Sequence, residues 1–275
     1  MLTQNAFATA APLLPGGFLQ AFLVVMIVAV VAGTLFDMWH KGSARYFFAN
    51  MRASRAKRKR ELGGGELVSI AAQTALVDVM TSGEFCNPRR RVAHLLTMYG
   101  FVTYLVTTAI MVFGYPTPAT PTPDIVPQLW WIGGLMVCAG GYWFWFFIRV
   151  DVAAESHTAL RFVRADLFIV SMLASVTLGL AWAAAGGGVG VLFGLYLLAT
   201  TVLFGSVVWS KFAPMFFKPA AAFDKRVTRA DGSAENLPTQ TRDDPEQRQR
   251  HSMELLRDAP MDMGLGIKRE APRHY

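Results

Sequence analysis

The chain has 275 residues, 53% of them hydrophobic, 12% aromatic and only 16% charged, a composition that excludes an ordinary water-soluble domain. The net charge is +7 and all 26 basic residues lie outside the apolar blocks, which speaks for a charged membrane face and against nucleic-acid binding. Two cysteines, Cys86 and Cys138, are too few for a four-thiolate iron–sulfur cluster or a structural zinc site.

Residues 1–17 form an external N-terminus without a positive charge; the first basic residue is Lys41. The apolar block at 18–38 therefore lacks the basic leader of a signal peptide and reads as an uncleaved anchor. Further blocks follow at 92–114, 129–148, 167–185 and 189–210, apolar nearly all round. About 20 residues at 1.5 Å per residue cross the roughly 30 Å of bilayer hydrocarbon. The expected fold is an all-α integral membrane protein, a five-helix transmembrane bundle in which 92–210 supplies four spans.

The 39–91 loop is basic. Its run "RASRAKRKRELGGG" suits lipid headgroups. The following "ELVSIAAQTALVDVM" (66–80) places Leu67, Ile70, Ala71 and Val77 on one helical face, interrupted by Thr74, with Leu76 pointing away. That pattern predicts an amphipathic cytoplasmic helix at the membrane surface. Cys86 falls in this loop and Cys138 in the third block, so no disulfide is expected and Cys138 reads as packing.

"YPTPATPTPDIVPQ" (115–128) reads as a proline-rich cap and "AAAGGGVG" (183–190) as a tight turn. Trp130 and Trp131 at one end of the third block, and "YWFWFF" (142–147) at the other, fit interfacial aromatic belts. Gly186, Gly190 and Gly194, every fourth residue, suggest a close-packing helix face.

Orientation follows from the 26 lysines and arginines. Eleven lie in 39–91, three in 149–166 and twelve from Lys211 onward. All therefore fall on one side, which the positive-inside rule makes cytoplasmic, giving an N-out, C-in chain in a bacterial cytoplasmic membrane. The tail, 211–275, turns polar after Ala222 and reads as disordered alone. Its end, "MELLRDAPMDMGLGIKREAPRHY", regains methionine and leucine, as a segment that docks on a partner would.

Of the 19 acidic residues only Asp124 falls outside, and Asp37 and Asp166 sit at inner helix ends. No ionisable group lies in mid-membrane, which disfavours a pump or an ion-coupled transporter. His40, His94 and His157 all fall near inner helix ends. A bis-imidazole haem has room for one site there, against the plainer reading of histidines at the wet edge of the bilayer.

Two patches carry a resemblance. "ALVDVMTSGEFCNPRRRVAHLLTMYGF" (75–101) resembles the start of the second span in cytochrome b subunits of the nitrate-reductase gamma and heterodisulfide-reductase-like group. "WSKFAPMFFKPAAAF" (209–223) is similar to that group's exit from the fifth helix. The resemblance makes His94 a haem ligand, but where the group carries the opposing histidine this chain has Pro214. Either His157 or His40 substitutes, or the haem is absent.

A short, haem-poor member of the group resembles the membrane anchor associated with dissimilatory adenylylsulfate reductase. The resemblance implies a cytoplasmic flavin and iron–sulfur oxidoreductase as partner, besides the lipid bilayer, and quinone as electron acceptor. Arg91, His94, Tyr99 and Lys211 are candidate donors to a quinone headgroup. No catalytic residue and no metal site is expected. Two other readings stand beside this one: a mono-haem cytochrome b, and a membrane scaffold or assembly protein without a redox role.

Overall fold

A computed structural model describes residues 2–40, 42–83, 87–149, 158, 160–209 and 218–234. Among the described residues the regular structure is helical throughout, without a strand. A short helix, α1 (Ala6–Ala10), precedes α2 (Phe18–His40). Two surface helices follow, α3 (Ser43–Ala56) and α4 (Gly64–Gln73), the latter running on as wider π-turns to Met80. Then come α5 (Pro88–Ala109, extended to Gly114) and α6 (Ile125–Trp143, extended to Ile148). The chain continues through α7 (Leu167–Ala184), α8 (Val191–Gly205) and α9 (Lys218–Ala230).

Four helices are long and apolar enough to cross a membrane: Phe18–His40, Pro88–Gly114, Ile125–Ile148 and Arg164–Ala184. The shortest has 21 residues, about 31 Å of helix, and α2 turns Val25, Val28, Val31 and Leu35 outward over its whole length. The chain is thus a multi-pass helical membrane protein with lipid-facing apolar surface. The block expected at 189–210 is shorter than its composition suggested. Its α-helix has 15 residues, about 22 Å, and gives way after Gly205 to a 3-10 turn at Val207–Trp209. Gly186 and Gly187, both at positive φ, hold the preceding turn open and delay the helix start to Val191.

Glycine pairs on α6 set the packing. Gly133 and Gly140 face α5, and a Cβ on Gly133 would lie 2.8 Å from the Gly100 carbonyl, one on Gly140 2.7 Å from the Ala93 carbonyl. Gly134 and Gly141, one step round the helix, meet Leu180 and Leu173 of α7. Seven-residue spacing on both partners keeps these contacts in register along antiparallel helices, so backbones approach as closely as small residues permit. The Gly186, Gly190 and Gly194 set does not pack this way. Gly186 belongs to the turn, Gly190 caps α8, and a Cβ on any of the three meets open space.

The bundle has two unlike ends. Gln20 Nε2 donates to the Val112 carbonyl at 3.1 Å, which places the start of α2 beside the end of α5. At this end the N-terminal segment is a packed plug: Phe7 is 3% exposed, with its ring 5.2 Å from Trp182 and 6.0 Å from Trp130. Asn5 pins it by accepting from the Phe7 and Ala8 amides and donating to the Tyr115 carbonyl and the Thr122 hydroxyl. Trp130 and Trp131 are correspondingly buried rather than belted in the interface. Trp130 stacks on Tyr104 and donates to Thr108 Oγ1 at 2.9 Å, so its polar edge is satisfied inside the bundle. The opposite end carries α3, α4, α9 and the described basic residues.

Candidate functional site at the basic end

The surface helices are built into one unit. Arg226 of α9 grips both oxygens of Asp78 at 2.6 and 2.9 Å, and its guanidinium holds that carboxyl below the usual aspartate range. The Asp231 carbonyl, just beyond α9, accepts from the Lys59 and Arg60 amides, while Arg60 Nε donates to the Ala230 carbonyl at 2.7 Å. Glu66, near the start of α4, accepts from the Gly63 amide and from Arg60, and these donors lower its pKa, the Gly63 amide most. Burial pushes the Asp224 carboxyl up despite the nearby Arg55 charge.

This refines one expectation and corrects another. The start of the stretch after Ala222 is ordered in the folded chain, since α9 continues through it to Ala230. Charged residues alone would leave such a helix unformed; α4 supplies the surface that stabilises it. The packed face of α4 is Ile70, Thr74 and Asp78, whereas Leu67 and Val77 are exposed. Thr74 is buried at its centre because its hydroxyl already bonds the Ile70 carbonyl at 2.8 Å.

A second brace joins α6 to α7. Arg149 pairs with both oxygens of Asp166, donates to the Arg161 carbonyl and lies 4.2 Å over the Trp145 ring. Its side chain is about nine-tenths buried, and the Val163 amide adds a further bond to the carboxylate. An ion pair so enclosed holds its geometry because breaking it strands a buried charge. Composition placed Asp166 at a helix end; nothing in the sequence paired it with Arg149.

The candidate donors are distributed unevenly. Arg91 Nε donates to the Thr81 carbonyl and the Tyr99 hydroxyl to the Met80 carbonyl, both at 2.7 Å. Together they clamp the end of α4 against α5. His94 is half-buried and lies seven residues before Phe101, so the two share a face of α5. Phe101 stacks on Phe204 of α8 at 6.5 Å, which turns the His94 face toward the exit of that helix. His40 is exposed, its ring stacked 5.5 Å from Phe36 one turn back on α2. Lys211, His157, Pro214 and the tail beyond Ala234 lie outside the described residues.

Backbone contact between α5 and α6 leaves no room for a porphyrin between those two helices. Of the three candidate haem ligands, His94 is half-buried, His40 is exposed and His157 lies outside the described residues. Among the described residues no three histidine, cysteine or carboxylate groups gather as a metal site. Cys138 is a free thiol against Thr177. Comparison with protein-family models, with curated proteins and with solved structures gave no match.

Proposed function

We propose that the chain is the membrane anchor of a cytoplasmic redox enzyme and helps pass that enzyme's electrons to the quinone pool. The observation that carries the reading is the asymmetry of the two ends. One is closed by short turns and a buried plug; the other carries three surface helices, of which α3 and α9 present Arg45, Arg52, Arg55, Lys225 and Arg229. Side chains held in register by Arg226–Asp78 and Asp231–Lys59 form a preorganised cationic platform, suited to an acidic protein surface. The positive-inside rule puts this end in the cytoplasm.

The two patches at 75–101 and 209–223 support the partner's class, a flavin and iron–sulfur oxidoreductase of the adenylylsulfate reductase type. Quinone belongs, in this reading, at the basic end near His94, where an imidazole stands beside lipid-accessible α5. Arg91 and Tyr99 serve there chiefly by fixing α4.

Capture of the tagged full-length chain from membranes in mild detergent tests the proposal. The expected result is co-purification of a soluble flavoprotein with iron–sulfur clusters, and loss of quinone reduction by that enzyme in membranes lacking the chain. Recovery of a partner without redox groups would replace the reading with a scaffold.

A further inference from the structure

The helix α4 carries two stripes of opposite use. Ile70, Thr74 and Asp78 form the less exposed stripe, anchored to α9 where Arg226 holds Asp78, and the π-turns from Thr74 onward widen the pitch enough to keep Asp78 in line. On the far side Val68, Ala72, Leu76 and Met80 recur every fourth residue, with Val68 70% and Leu76 58% exposed. From Leu67 to Val77 the helix carries no charge at all. Water is a poor neighbour for such a stripe, and α9 with its lysines and arginines already covers the polar side.

The clamp on α5 fixes the depth. Arg91 and Tyr99 stand eight residues apart, about 12 Å along the helix. They nevertheless donate to carbonyls of consecutive residues, Thr81 and Met80. Those carbonyls therefore lie beside the first turns of a candidate membrane span, level with the residues between the two donors. A helix end in water needs no such donors, whereas one sunk among acyl chains must have its terminal carbonyls satisfied by protein. Cations flank the segment on both sides, Lys57, Arg58 and Lys59 before it and Arg89 after it.

We infer that α4 is a monotopic membrane helix, with Val68, Ala72, Leu76 and Met80 in the acyl-chain boundary of the basic-side leaflet and the flanking cations on anionic phospholipid headgroups. The inference rests on the bundle lying in a bilayer and not on any protein partner. It divides the labour of the basic end: α4 and its flanking cations face lipid, leaving α3 and α9 to face a docked protein. Both the apolar and the electrostatic contribution are those of an interfacial helix.

The test uses the full chain with Cys86 and Cys138 replaced by serine, reconstituted alone in phosphatidylcholine vesicles with or without phosphatidylglycerol. A bimane probe is placed in turn at V68C, L76C and, as a water-facing control, R229C. The expected result is blue-shifted emission at 68 and 76, quenched by acyl-brominated lipid and protected from iodide, and deepened by phosphatidylglycerol. The probe at 229 stays iodide-accessible. Tyr99→Phe should lessen the brominated-lipid quenching at 76 while leaving the chain in the membrane. Iodide-accessible probes at 68 and 76 in these vesicles would overturn the inference, and shielding that appeared only on adding a soluble partner would give the stripe to protein instead. Because no partner is present, failure here leaves the anchor reading standing, and failure of that reading leaves this result untouched.

Discussion

Arg226 and Asp78, 148 positions apart, meet in a two-pronged ion pair that joins the last described helix to the surface helix before the second span. Neither group is fully exposed, so the pair escapes much of the solvent screening that makes surface ion pairs weak. Arg226→Ala should loosen α9 from α4 by about 2 kcal/mol, the range for charged hydrogen bonds. Hydrogen exchange across 218–230 reads this directly. Asp78→Asn should match it, and the double variant should cost no more than either single one; additive losses would show the two residues act separately.

Acid should act on this joint in two opposite steps. Asp224, its pKa raised by burial, carries a charge that the docked state disfavours at neutral pH, so its protonation on mild acidification favours docking. Asp78, held low by Arg226, contributes stability above its unfolded value that is lost as pH falls through the lower folded one. Docking of α9 should therefore strengthen slightly on mild acidification and fail only below the ordinary carboxylate range. A fluorophore on α9 quenched by a tryptophan placed on α4 would follow both limbs. Asp224→Asn should remove the first and Asp78→Asn the second.

Glycine substitutions should separate packing from periodicity. Ala at Gly100 brings a methyl to 2.7 Å from the Gly133 carbonyl, a clash with backbone that cannot move aside. Overpacking of this kind costs about 1–3 kcal/mol. Ala at Gly194 meets nothing within 4 Å and should be neutral or slightly stabilising through helix propensity. Thermal unfolding in detergent compares the two. Equal melting temperatures would mean that α5 and α6 do not approach as described.

That contrast shows what the sequence could and could not say. Apolar runs locate the four long helices to within a few residues, because hydrocarbon thickness is a constraint each segment meets alone. Which glycines touch a neighbour is a property of pairs of helices. The every-fourth pattern of Gly186, Gly190 and Gly194 was visible but idle, while the doublets Gly133–Gly134 and Gly140–Gly141, seven apart, carried the contact. Thr74 misled for a related reason: a hydroxyl breaks an apolar stripe on paper, yet its bond to the Ile70 carbonyl lets it sit in a packed face. Ion pairs such as Arg149–Asp166 join segments whose approach only the fold decides. The backbone carbonyls that accept from Arg91 Nε and the Tyr99 hydroxyl appear only when the end of α4 is laid beside α5.

The plug predicts a strong effect from one small residue. Asn5 both caps α1 and ties it to the Tyr115 carbonyl and Thr122, so Asn5→Ala loses a cap, about 1 kcal/mol, and leaves the tied carbonyl unsatisfied. Exchange at the Phe7 and Ala8 amides, which donate to the Asn5 side chain, should rise steeply, with the helices around them unchanged. Unchanged protection would show that ring packing of Phe7 on Trp182 suffices by itself.

Redox difference spectra decide the role of His94. A b-type haem takes two axial imidazoles with a porphyrin's breadth between their helices. The glycine contacts close the α5–α6 side, the His94 face turns to the exit of α8, and His40 stands exposed against Phe36. At the place on that exit where the resembling group carries its second histidine, the residue is Pro214. The purified chain should thus show no reduced-minus-oxidised b-type band, and His94→Ala should leave its spectrum unaltered while weakening quinone reduction by the docked enzyme. A band present in the native chain and abolished by His94→Ala would make that imidazole an axial ligand and the chain a mono-haem cytochrome.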